Sequence, residues 1–97
     1  MQKLTSSDHY NVAVAVTRRL YEFMQDESCE FPVTVVIVGA NNSVIARASI
    51  PSLAEAGDTR CWNSVDPFAA QFPVTAIITN AKGDILDLTF TREYLLQ

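Results

Sequence analysis

Phe31-Pro32-Val33-Thr34-Val35-Val36-Ile37-Val38 is the stretch that decides the fold. Its β-branched residues favour a pleated, extended backbone, and Pro32 stands at the start, where a missing N–H disturbs a ladder least. Side chains alternate, so Phe31, Val33, Val35 and Ile37 share one face while Val36 and Val38 share the other. A strand apolar on both faces is expected to be covered on both. Gly39-Ala40-Asn41-Asn42-Ser43 supplies turn chemistry, since Gly and Asn tolerate positive φ. Residues 44–50 then return as a second strand. Its Val44, Ala46, Ala48 and Ile50 face is apolar and small, and its Ile45, Arg47 and Ser49 face is mixed.

Forty-one residues on, Phe72-Pro73-Val74-Thr75 repeats Phe31-Pro32-Val33-Thr34. A second hairpin follows, with strands at 74–79 and 85–91 around Asn80-Ala81-Lys82-Gly83-Asp84. The two turns align without a gap. The return strands do not: Leu86, Leu88 and Phe90 align with Ile45, Arg47 and Ser49, which puts the cleaner apolar faces out of phase. Duplication of a hairpin and independent use of the same hairpin chemistry both fit this pattern.

Ahead of the strands, Thr5-Ser6-Ser7-Asp8 has the form of a helix start, with a hydroxyl to cap and an acid for the positive end of the dipole. Tyr10, Ala13, Thr17, Leu20 and Met24 then follow helical spacing, with Val16 and Phe23 widening the stripe. This predicts an amphipathic helix of about five or six turns ending near Asp26-Ser28. Between the hairpins, residues 51–71 form too long a connection to be structureless. Ser52-Leu53-Ala54-Glu55 and Asp66-Pro67 each read as the start of a helical turn. The expected architecture is a single α+β domain over 1–97. A long N-terminal helix packs on a four-stranded antiparallel sheet made of two β-hairpins, joined by a segment with short helical turns.

Composition narrows function mainly by exclusion. The chain carries seven Lys and Arg against eleven Asp and Glu, and only Arg18-Arg19 are adjacent. Phosphate binding draws on several cations on one face, so direct nucleic-acid binding is not expected. No apolar run approaches the length of a membrane span, residues 1–8 are polar, and two well-separated cysteines do not make a disulfide framework. A cytoplasmic protein with reduced thiols is expected. No cofactor is implied: Gly39, Gly57 and Gly83 do not form a phosphate-cradling loop, and one histidine with two cysteines falls short of a structural zinc set. Cys61 as a nucleophile needs a base, and nothing in the spacing brings His9 to it. Asp26, Glu27 and Glu30 lack the pattern of a calcium loop and read as a solvated edge.

Two features point to binding instead. Asp58-Thr59-Arg60-Cys61-Trp62-Asn63 sets Arg60 and the only tryptophan on a connection, and Arg and Trp are common interface anchors. The plainer alternative has Trp62 plugging one end of the core and Arg60 paired with Asp58. The second feature is the outer side of the doubly apolar strand, where Val36 and Val38, joined by Ile77 and Ile45 if the registers allow, need cover from residues 51–71 or from another chain. The expected function is a non-catalytic protein-binding module, such as a small adaptor, inhibitor or accessory regulatory protein. It acts as a homodimer, with Arg60, Trp62, Val36, Val38 and Ile77 contacting the partner. The rivals are a small-molecule binder or weak enzyme with a pocket near 51–71, where Arg60 or Arg47 fixes an anion, and an acidic mimic of nucleic acid.

Overall fold

The computed structural model describes residues 3–64 and 70–95. A long helix α1 (Ser6–Met24) leads into strands β1 (Val33–Val38) and β2 (Val44–Ile50). Two single 3₁₀ turns, Leu53–Glu55 and Thr59–Cys61, then precede β3 (Trp62–Ser64). Strands β4 (Val74–Thr79) and β5 (Ile85–Phe90) follow, and a one-turn helix α2 (Arg92–Leu95) comes last. The strands form one antiparallel sheet in the order β3-β2-β1-β4-β5. The α+β class, the long helix and both hairpins are as the sequence predicts. The fifth strand is not: β3 pairs with β2 through only three residue pairs, too short a run to show an alternation. The helical start expected at Asp66-Pro67 lies outside the described residues.

Thr5 and Asp8 close α1 with a reciprocal capping box, at 2.8 Å from Thr5 N–H to the Asp8 carboxylate and 3.2 Å from Asp8 N–H to the Thr5 hydroxyl. The buried line of α1 is Asp8, Val12, Val16, Leu20 and Met24, a strict four-residue repeat. This corrects the expected stripe: Ala13 and Thr17 are exposed and Tyr10 is 70% exposed. Val and Ala alternate from Val12 to Val16, so several faces of the helix are apolar and periodicity alone does not set the phase. The helix also stops at Met24, short of Asp26-Ser28.

Beneath α1 the core is built from Val33, Val35 and Ile37 of β1, Ala48 and Ile50 of β2, Val74, Ala76 and Ile78 of β4, and Phe90 of β5. The two hairpins superpose in their turns. Gly39 N–H bonds the Ser43 carbonyl and Asn80 N–H bonds the Asp84 carbonyl, and the left-handed residues Asn42 and Gly83 occupy matching places. Both Phe-Pro peptides, before Val33 and before Val74, are cis. Val36 and Ile77, 41 residues apart, face each other across β1–β4. The hairpins are thus related by an approximate two-fold axis through that pair.

The phase mismatch in the return strands has a structural cause. Val38 pairs with Val44 but Ile37 pairs with Ala46, so Ile45 is an inserted residue, a β-bulge. The β4–β5 ladder has no such break. Ile45 and Ala46 consequently both serve the inner face, and beyond them Ala48 and Ile50 stand where Leu88 and Phe90 stand in the second hairpin. Ile45, expected beside Val36 and Val38 on the outer face, is instead buried in the core.

Gly39 is required by close approach. A Cβ there would lie 3.0 Å from the Gln71 nitrogen, 3.2 Å from its oxygen and 3.3 Å from the Ala70 Cα. Those backbone atoms have little room to yield, because Ala40 N–H bonds the Gln71 carbonyl and Leu4 N–H bonds the Ala70 carbonyl. Gly39→Ala is expected to lower stability by about 1–2 kcal/mol, read from the urea midpoint. An unchanged midpoint would mean that residues 70–71 are not held against the turn.

Candidate functional site

One helix cannot cover this sheet. Five strands about 4.8 Å apart span roughly 19 Å between outer axes, whereas a helix with its side chains is about 10 Å wide. A groove on each flank of α1 follows from that mismatch, and the outer face of the sheet is a third surface, with Arg47, Ile77 and Asp87 exposed on it.

The outer face carries the predicted residues Val36, Val38 and Ile77. One row runs straight across the strands as Asn63, Arg47, Val36, Ile77 and Asp87. Val36 and Val38 are half-buried and Ile77 is 37% exposed. Thr34, Thr75 and Thr79 flank them on the same face. Arg47 and Asp87 are both exposed, and neither side chain has a hydrogen bond or ion pair among the described residues. From the connection, Cys61 and Asn63 border this face, forming with Thr34, Val36, Arg47 and Ser49 a shallow depression of about 290 Å³.

Arg60 and Trp62 do not join this group. Trp62 pairs with Ala48, which places its ring on the inner face, half-buried against the core as the plainer alternative had it. Arg60 is held by Asp58 through contacts of 2.7–3.1 Å and projects outward. The Arg60 hydrogen bonds keep the Asp58 carboxyl below its usual range. The expected partner set is therefore split between two sides of the sheet. Sequence reasoning named Arg47 only as an anion-holding residue and did not place Asp87 at any site, because only cross-strand register reveals their common row.

On the β5 flank of α1, a groove of about 470 Å³ is lined by Tyr10, Val14, Arg18, Arg19, Phe90 and Tyr94 among others. On the β2–β3 flank, a smaller one of about 340 Å³ is bounded by Val12, Val16, Ile37, Ile45, Ala46 and Trp62 and also lined by Ala13, with His9 and Thr17 as its polar residues.

The two thiols are free and half-buried, and Cys61 borders the outer-face depression. Burial pushes the Cys29 thiol up, against a hydrogen bond from Asn80, and the carboxylates of Asp26 and Asp84 add to the rise. Cys61 lies 3.7 Å from the Glu55 carbonyl, and among the described residues no hydrogen bond joins it to His9. Among the described residues no three His, Cys, Asp or Glu side chains gather as a metal cluster, and no helix is long and apolar enough to cross a membrane.

The chain is thus an α+β domain with one long helix on a five-stranded antiparallel sheet. Compared with protein-family models, with curated proteins and with solved structures, it matches none.

Proposed function

We propose that this chain is a non-catalytic protein-binding module whose first partner is a second copy of itself, docked through the outer face of the sheet. The row Arg47–Val36–Ile77–Asp87 carries the proposal. It sets a cation and an anion, neither ion-paired among the described residues, at the two ends of an apolar pair. Turning a second sheet over this one about an axis parallel to the strands reverses the row. Arg47 then meets Asp87 of the second copy, twice by symmetry, and Val36 meets Ile77. Rotation about an axis along the row would instead oppose like charges. Charge therefore favours one isologous arrangement and disfavours the other.

Size sets the strength. A face about 20 Å on a side offers roughly 400–500 Å² per copy, so the pair buries about 900 Å², below the roughly 1,000 Å² that stable specific interfaces clear and in the range of weak, transient contacts. A weak dimer that forms reversibly at micromolar or higher concentration is expected. Sedimentation equilibrium tests it. Arg47→Glu should weaken association about tenfold or more, and Arg47→Glu with Asp87→Arg should restore it. A chain that stays monomeric at several hundred micromolar, or a dimer indifferent to Arg47→Glu, would refute this arrangement.

A further inference from the structure

The groove between α1 and the β2–β3 side of the sheet exists for a reason visible in the chain's internal symmetry. Once the bulge at Ile45 is allowed for, Ala46 and Ala48 occupy the places that Leu86 and Leu88 hold in the second hairpin. At the place that Leu86 fills in the second hairpin, Ala46 leaves the inner face open, whereas Ala48 is buried and does not line the groove. Ala13 on the overlying helix adds no bulk. The result is a space of about 340 Å³, within the range of small-molecule pockets at about 300–1,000 Å³.

We propose that this space binds a small, flat, uncharged apolar molecule stacked beside Trp62. Its walls are aliphatic from α1 and from the sheet, with the indole as the third side. No carboxylate, ammonium or guanidinium occurs among its described lining residues, so an ionised ligand would lose its hydration without a countercharge. Concave, mostly apolar surfaces with a few polar groups are the usual form of small-molecule sites. His9 and Thr17 offer hydrogen bonds to a single polar atom on such a ligand. Arg47 lies on the opposite face of the sheet, and Arg60 is engaged by Asp58. An anion held by either residue, as the sequence had it, is therefore not part of this site.

Trp62 is the chain's only tryptophan, which makes the test direct. The neutral dye N-phenyl-1-naphthylamine absorbs where tryptophan emits. Titrated into the folded protein, it should quench Trp62 saturably with one-to-one stoichiometry and gain fluorescence itself. Ala46→Leu copies the counterpart leucine into the space and should weaken binding tenfold or more while holding or raising the melting temperature. Ala13→Leu, at an exposed helical position, blocks the same space without touching the core and should act likewise. Trp62→Phe should abolish energy transfer yet keep the gain in dye fluorescence. In Arg47→Glu, altered only on the outer face, the titration should be unchanged, which separates this site from the proposed dimer. Non-saturable quenching, quenching retained in both filled variants, or quenching lost in Arg47→Glu would overturn the proposal.

Discussion

Replacing Ile78 with alanine should destabilise the fold by about 3–4 kcal/mol, while the same change at its neighbour Ile77 should cost less than about 1 kcal/mol. The two residues are chemically identical and adjacent, and alternation along β4 sends them to opposite faces. Ile78 has no exposed surface and sits between Val35 of β1 and Leu86 of β5 on the helix side. Removing its side chain opens a cavity at the centre of the core, where α1 and the sheet are both fixed and cannot collapse inward. Ile77, opposite Val36 and Asp87, loses only partly exposed surface. Its loss should show in association rather than in folding: Ile77→Ala should shift the sedimentation profile toward monomer. Urea unfolding at low micromolar concentration keeps the two effects apart. Equal losses of stability at both positions would contradict the assignment of inner and outer faces.

A second large effect is expected at the N-terminus of α1. The Asp8 carboxylate, 5% exposed, accepts hydrogen bonds from the Arg92 guanidinium at 2.9 and 3.4 Å and from Thr5 N–H at 2.8 Å. Arg92 also donates to the Lys3 carbonyl at 2.9 Å and lies 5.3 Å from the centre of the Phe72 ring. One ion pair thus ties the start of α1 to α2 and to the segment entering β4. Asp8→Ala leaves the guanidinium without its partner, at an expected cost of about 3 kcal/mol. That is the low end for a broken buried pair, because the Arg92 side chain stays 29% exposed and water can compensate part of the loss.

The same contact makes stability depend on pH. Burial alone would raise the Asp8 carboxyl, but the hydrogen bonds from Arg92 and Thr5 outweigh it and hold the group below its ordinary value. A carboxyl depressed in the folded state binds its proton more readily when unfolded. Its contribution is therefore complete above the unfolded value near 3.9 and fades as pH falls through that value toward the folded one. The stability gap between the native chain and Asp8→Asn should be full at pH 7 and should narrow below about pH 4. A gap constant from pH 7 to pH 2 would show that the charge of Asp8 contributes nothing.

Much of this architecture is legible in the residues alone. The alternation through Val33, Val35 and Ile37, the Asn- and Gly-bearing turns and the capping pair Thr5 and Asp8 are local signals, and each element they specify is present. The Phe-Pro-Val-Thr repeat likewise marks two hairpins that share one turn geometry. Asp8 was legible only as a helix-start acid. Its pairing with Arg92, 84 residues away, leaves no local trace.

Sequence by itself therefore determined the long helix, the two hairpins, their order and the faces of β1, but not β3, because propensity, capping and alternation act between residues a few positions apart. Tertiary structure alone decided the phase of α1, the bulge at Ile45, the side of the sheet that receives Trp62 and the row that unites Arg47, Val36, Ile77 and Asp87. Each of these depends on how distant segments fit. A single inserted residue exchanges the two faces of a strand, and only packing beneath a helix selects where that insertion falls.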